Sequence, residues 1–370
     1  MKKLAPNKIC LVLGTRPEII KLSPVICELE RRKISYFIIH TNQHYAEELD
    51  GVFFRELGIK KPKYNLGVGS KSHVAMIAEM LSKIEKVLLR EKPHVVLVQG
   101  DTNSVLAGAL ASAKLEIPTG HVEAGLRSYD RTMPEELNRV LADHVSDLLF
   151  APTVLSKRIL LGEGVAAKQI FVTGNTVVDA VKQNIRLAKK KSGILKELGL
   201  KRGKYALLTL HRPSNVDYKL PLAGIMRGLQ GLEKLGLSNI IFPVHPRTGK
   251  QLAKFKIKLP GNVRAVRPLG YLDTLLLINS ASIVLTDSGG IQEEACVLKV
   301  PCITLRKNTE RPETLGVGSN VLAGTDPGGI FRAVRRMLKK PRSWKNPFGD
   351  GKAGKRIIEA ILNFKHWPKV

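Results

Sequence analysis

The chain has 370 residues, 44% of them hydrophobic and 25% charged, the balance of a globular protein long enough for two domains. Its net charge of +28 comes with only 5% aromatic residues. Its lysines and arginines are scattered over helical stretches with no zinc-finger, RRM or helix-turn-helix pattern, which argues against nucleic acid as a partner. No apolar run approaches the ~20 residues that span a bilayer.

Taken from the N-terminus, MKKLAPNKICLVLG has a basic start, but its apolar stretch is only about six residues long and runs straight into a turn and helix. It reads as a first strand rather than a signal peptide, and a cytoplasmic protein with no membrane partner is expected. Short β-branched runs then alternate with helical stretches. The first set of predicted strands is Ile9–Leu13, Tyr36–His40, Val95–Gln99, Thr119–Glu123, Leu148–Ala151 and Ile170–Thr173. Helices are expected among them over Glu18–Arg31, His73–Arg90 and Pro134–Ser146. The second set is Ala206–His211, Ile240–Val244, Val263–Val266, Ile283–Thr286, Cys302–Leu305 and Val321–Ala323.

Continuous apolar strands separated by helices indicate parallel sheets covered on both faces. The expected fold class is therefore α/β, with two Rossmann-like doubly wound domains around a cleft. The expected divisions are 1–174, 175–350, and a tail 351–370 whose helix packs back on the first domain. Cys10, Cys27, Cys296 and Cys302 show no metal-clip spacing and read as small core residues in a reducing compartment.

Ligands of such sheets bind outside the carboxyl ends of the strands, and the reactive residue types gather there. Four of nine histidines, His40, His121, His211 and His245, fall at such ends. After the first strand, Gly14-Thr15-Arg16-Pro17 opens a helix. Arg16 at its entrance and Lys21 one turn on suit a phosphate, although a solvated Arg and Lys on an ordinary helix fit the same residues. This is neither a P-loop nor a GxGxxG turn. In Asp287-Ser288-Gly289-Gly290, Asp287 or Ser288 can cap the next helix, and the glycines let backbone approach a diphosphate. Glu294, one turn in, can accept bonds from ribose hydroxyls, and an ordinary capped helix with surface glutamates is the alternative.

Asp101, Glu123 and Glu135 lie in loops or helix starts of the first domain. Moving a proton off one face of a sugar carbon and back onto the other needs an acid and a base, which converging carboxylates can supply. Glu135, following Pro134, also fits as a first-turn glutamate favoured by the helix dipole. Glu123, closing an apolar strand near His121, is harder to explain structurally. A metal held by His121 with Asp101 or Glu123 is disfavoured because no HxxxH or clustered ligand set occurs.

GTRPEIIKLSP, QGDTNSVLAG, GHVEAGLRS, MPEELNRV, FVTGNTVVDA, TLHRPSN, FPVHPRT, LTDSGGIQEEA, NTERPET and NPFGDG stand in an order and spacing that resemble the non-hydrolysing UDP-N-acetylglucosamine 2-epimerases, over nearly the whole chain. The resemblance implies a glycosyltransferase-B-like fold, a homodimer, a role in polysaccharide biosynthesis, and no cofactor or metal. It implies reversible C2 epimerisation of a UDP-amino sugar by anti elimination of UDP to 2-acetamidoglucal and re-addition. Asp101, Glu123 and Glu135 match the family's acid/base carboxylates, and His211 its catalytic histidine near the leaving diphosphate. Arg16, Lys21, Ser288, Gly289, Gly290, Glu294 and Arg311 match positions that bind UDP or close around it, and His245 is assigned with them to substrate binding. One departure is Ser214 in HRPSN, where the family commonly has Glu. Gln43-His44 is similar to part of a second, regulatory site in some bacterial members, and regulation is not claimed on it. The alternatives are a hydrolysing 2-epimerase, which releases ManNAc and UDP, and a glycosyltransferase of the same fold.

Overall fold

The computed structural model describes residues 8–43 and 54–364; His44 lies outside them. The chain divides into two units, residues 1–180 with 348–370, and residues 181–347. Each is built on a fully parallel sheet.

In unit 1 the strands are β1 (Ile9–Leu13), β2 (Tyr36–His40), β3 (Tyr64–Asn65), β4 (Val95–Gln99), β5 (Thr119–Val122), β6 (Leu148–Ala151) and β7 (Ile170–Val172), ordered β3-β2-β1-β4-β5-β6-β7. Every residue of β1 and β4 is buried, as expected for central strands covered on both faces. The small-residue helix Asn103–Lys114 lies so close to the sheet that a Cβ on Gly108 would stand 2.9 Å from Val98. The last helix, Ala353–Asn363, packs on the helix Arg16–Arg31. Its first N–H groups, from Ala353 and Gly354, donate to the Asp179 carboxylate at 3.1 and 3.0 Å, so a buried aspartate from another helix caps it.

In unit 2 the strands are β8 (Ala206–Thr209), β9 (Ile240–Pro243), β10 (Val263–Val266), β11 (Ile283–Thr286), β12 (Cys302–Thr304) and β13 (Asn320–Leu322), ordered β10-β9-β8-β11-β12-β13. Its core includes Leu208, Phe242, Leu285 and Ile303 from the expected strands, and Ile225 and Leu229 from the helix Lys219–Gly231, all without exposed surface. Two Rossmann-like sheets in one chain are the glycosyltransferase-B-like fold class. Each sheet reverses its strand order once, at β1/β4 and at β8/β11, and these reversals are where doubly wound sheets hold ligands.

Two differences from the predicted elements are informative. The two-residue edge strand β3 is too short to leave a periodic signal. Glu123, expected as the last residue of a strand, lies beyond it at φ +75°, a left-handed backbone that a non-glycine residue rarely adopts.

Candidate active site

In unit 1 the reversal brings the ends of β1 and β4 side by side. Gly14 is required there, since a Cβ would stand 2.1 Å from the hydroxyls of both Thr41 and Ser104. Thr15 is the N-cap residue of the helix Arg16–Arg31, and its side chain makes no capping bond. Glu18, at the third helical position, reaches back instead, as in half of a capping box. The Gly14 N–H (2.8 Å) and the Thr15 hydroxyl (2.9 Å) donate to one carboxylate oxygen, and the Thr102 hydroxyl donates to the other at 2.6 Å. Burial outweighs these bonds and pushes the Glu18 pKa up to about 7. Glu18 thus joins the loop after β1 to the loop after β4.

Lys21, one turn along the same helix, meets Glu123: Nζ lies 2.6 Å from Oε2, and Gln99 Nε2 donates to the same oxygen at 2.6 Å. Both ion-pair partners are almost fully buried. Asp101 pairs with Arg139 of the helix Pro134–Val145, while Asn138 donates to the Asp101 carbonyl at 3.0 Å. Arg139 also holds Glu136 at 2.7 Å. Glu136 in turn accepts from the Ser128 and Tyr129 N–H groups, at 2.9 and 2.8 Å. Glu135 stands half-buried on the same first turn, and Arg16 half-buried at its helix start.

Behind these groups His121 is fully buried. Nδ1 lies 2.7 Å from Asp143 Oδ1 and Nε2 2.8 Å from the Gly100 carbonyl. Both nitrogens face acceptors, an arrangement that favours the doubly protonated ring. Burial opposes that charge, but Asp143 and the carbonyl outweigh it and raise the His121 pKa. Burial likewise opposes the Asp143 anion, yet His121 and Arg127 hold its pKa below the ordinary value. His121, weighed as a metal ligand from sequence, is occupied in positioning: it fixes the carbonyl immediately before Asp101 and lies two residues before Glu123.

In unit 2 the reversal at β8/β11 pairs His211 with Asp287. Nδ1 lies 3.1 Å from Oδ1, and the His211 and Arg212 N–H groups donate to the same carboxylate at 3.1 and 3.0 Å. Asn215 Nδ2 adds a fourth donor at 3.2 Å. Asp287 is fully buried; that burial favours the neutral acid, but His211 and the backbone donors lower its pKa. Of the two residues expected as caps of the following helix, Asp287 or Ser288, the second takes the N-cap position. Ser288 is the N-cap of Gly289–Val297, without a side-chain capping bond, because four donors turn Asp287 toward the His211 loop.

The ring of His245 lies 5.9 Å from that of His211. Arg311, 95% buried, pairs with Glu293 at 2.5 Å, and its guanidinium carbon stands 3.6 Å from where a Gly289 Cβ would be. Gly290 follows in the first turn of the same helix. Glu294 is buried beside Tyr271, whose phenol pKa is raised by burial and by that carboxylate. Glu310 accepts from Arg306 at 2.9 Å and lies 3.7 Å from Arg212. Burial opposes its charge, but these cations hold its pKa well below the carboxylate range. Ser214 is exposed on the short helix Pro213–Val216, away from this bonding.

The structure thus pairs Lys21 with Glu123 and sets Asp101 on Arg139 at the strand ends of unit 1, and in unit 2 it brings His211 beside His245 and Gly289 beside Arg311. Sequence reasoning missed Glu18, Glu136, Arg139, Asp143, Glu293 and Glu310, which hold these groups in place. Helical spacing carried part of that signal: 136, 139 and 143 recur at i, i+3 and i+7 on one face of their helix.

A family model described as UDP-N-acetylglucosamine 2-epimerase matches residues 27–362. The UDP-N-acetylglucosamine 2-epimerase of Methanococcus maripaludis is 54% identical over 97% of this chain and 99% of its own length. The crystal structure of the Methanocaldococcus jannaschii UDP-GlcNAc 2-epimerase in complex with UDP-GlcNAc and UDP superposes with a TM-score of 0.91 at 54% identity, covering 96% of this chain and 99% of that one. At 40% identity, over 96% of this chain and 99% of its own length, the chain is similar to the UDP-2,3-diacetamido-2,3-dideoxy-D-glucuronate 2-epimerase of Pseudomonas aeruginosa.

Proposed function

This chain belongs to the UDP-N-acetylglucosamine 2-epimerase family, and on that premise we propose that it interconverts UDP-N-acetylglucosamine and UDP-N-acetylmannosamine without hydrolysis. A base takes the C2 proton, the C2–H electrons form the C1–C2 double bond, and the C1–O bond breaks to release UDP. UDP oxygen then re-adds to C1 while a proton is delivered to the opposite face of C2. No atom changes oxidation state overall, so the steps require no redox cofactor.

The observation that carries this reading is the pair of carboxylates at the ends of β4 and β5. Asp101 and Glu123 are held by separate cations, Arg139 and Lys21, so two acid/base groups are supplied from fixed positions. We assign the proton transfers to Asp101, Glu123 and Glu135. His211, with Nδ1 turned to Asp287, is assigned to the departing diphosphate through its other ring nitrogen, Nε2. Arg16, His245, Ser288, Gly289, Gly290, Glu294 and Arg311 are assigned to the UDP moiety. Lys21 serves first as the partner of Glu123.

The helix Pro134–Val145 buries Glu136, Arg139 and Asp143 and turns Leu137 and Leu141 outward, 49% and 40% exposed. Such an inverted amphipathic helix supports a homodimer that covers its apolar edge. A cytoplasmic enzyme feeding polysaccharide biosynthesis is part of the same proposal; among the described residues no helix is long and apolar enough to cross a membrane. The similarity to the diacetamido-glucuronate enzyme favours a second reading, in which the amino sugar is further modified at C3 and C6. Incubation with each UDP-HexNAc epimer separately tests the main reading: the same final ratio from both sides supports it, and accumulation of free ManNAc and UDP assigns hydrolysis instead.

A further inference from the structure

The net charge is unevenly placed. Unit 2 carries 31 of the 60 Lys and Arg but only 10 of the 32 Asp and Glu. Within it the excess collects at one pole, where helices end and strands begin. The segments 198–205, 231–239, 253–262, 279–282, 297–301, 316–319 and 335–346 hold fourteen basic residues and one acid, Glu233. The corresponding segments of unit 1 (30–35, 57–63, 90–94, 113–118, 145–147 and 162–169) hold ten and five, with pairs such as Lys63–Glu91 among them. In unit 2 twelve of the fourteen are exposed, and among the described residues none of the fourteen forms an ion pair.

These segments are stitched into one face. Gly203 N–H donates to the Ser280 carbonyl at 2.8 Å, Ser282 N–H to Tyr205 at 2.8 Å, and the Arg342 guanidinium to Ser282 at 2.9 Å. Asn262 bonds the Leu237 carbonyl at 3.3 Å. Six strands at ~4.8 Å spacing make the face ~24 Å wide. Compensation of helix dipoles explains Lys254, Arg335 and Arg336, which occupy last turns. It does not explain the loop residues Lys201, Lys204, Lys256, Lys258 and Lys345.

We propose that this pole of unit 2 is a docking surface for the anionic headgroups of a lipid bilayer. The face is broad and rich in lysine, ten of the fourteen, and point charges on flexible stems suit a diffuse negative plane. Nucleic acid fits less well. Of the rings at this pole, Tyr205 and Trp344 are buried and Phe255 is half-buried against the core of unit 2, so none stands out as a stacking platform. The helix ends that point here are carboxyl ends, not the amino ends that receive phosphodiesters. No large exposed apolar side chain lies in these segments, so attachment is electrostatic and reversible by salt. His211 and Ser288 lie at the opposite ends of the strands of unit 2, so docking at this pole does not cover them.

The test is cosedimentation of the full chain with vesicles of 60:40 phosphatidylcholine and phosphatidylglycerol, beside pure phosphatidylcholine, at 0.1 and 0.5 M salt. Binding to the anionic vesicles alone, lost at 0.5 M salt, is the expected result. Each basic residue at such a surface contributes about fivefold. The variant K201S/K204S/K256S/K258S/K345S, whose five side chains are all exposed, should therefore lower partitioning by at least ~30-fold with an unchanged thermal midpoint. A variant of the other unit's pole, K33S/K92S/K114S, should bind as the wild type does. Failure to bind anionic vesicles, equal loss in both variants, or tighter binding to duplex DNA than to vesicles at equal salt overturns the proposal.

Discussion

Lys21 and Glu123 are 102 residues apart in sequence and form a buried ion pair of 2.6 Å. A lysine that sequence pattern assigns to phosphate is therefore, in unit 1, the partner of the carboxylate assigned to proton transfer. Leaving either charge alone in this site costs more than the pair is worth. Lys21→Met and Glu123→Gln should each lower kcat by about 10²–10³-fold, and the double variant should be little worse than the poorer single one. Multiplying losses in the double variant would show that the two side chains act separately.

Asp287 collects four donors from the His211 loop. In Asp287→Asn an amide N–H₂ faces some of those donors and the imidazole loses its fixed tautomer. The expected loss is at least about 10² in kcat, with a lowered thermal midpoint because buried donors left unsatisfied cost ~1–3 kcal/mol each. Steady-state rates on a variant shown to be folded by near-UV circular dichroism check this, and a kcat within about threefold of wild type would remove Asp287 from the site.

Glu18 gives a pH signature. Its carboxyl is raised from 4.5 to about 7, so between those values the folded state holds a proton that the unfolded state has lost. Stability then falls as pH rises through this window, by about 3 kcal/mol in all, and levels off above it. Glu18→Gln keeps an acceptor for Gly14 and a group for Thr102 but cannot ionise. Its thermal midpoint should lose the decline from pH 5 to 7.5 that the wild type shows, and parallel profiles would assign the decline elsewhere.

Both sheets were legible from the sequence because their central strands are uninterrupted apolar runs, and β4 and β11 lie where they were read. The strand ends carrying Asp101, Glu123, His211 and Ser288 were legible for the same reason. What was not legible is which buried polar group holds which. Glu18 reads only as the start of a helix, and Asp287 as one of two candidate helix caps, since local sequence cannot tell a capping side chain from one drawn toward a neighbouring strand. The residues 136, 139 and 143 were hidden because their helix is inside out: its charged face is buried and its leucines face outward.

Those leucines yield a prediction of assembly. The wild type should run in light scattering at twice the chain mass of 40.8 kDa, and Leu137→Lys with Leu141→Lys at one chain mass, since burying unpaired lysines in an apolar contact is costly. A dimer that survives both substitutions would place the interface elsewhere.

The most direct measurement of the central claim is proton NMR of UDP-N-acetylglucosamine incubated with the protein in D₂O, with no added metal or nicotinamide. UDP-N-acetylmannosamine carrying deuterium at C2, beside substrate that also gains deuterium there, is the result predicted for reversible elimination and re-addition. Product that retains its original C2 proton, or substrate left unchanged, would contradict it.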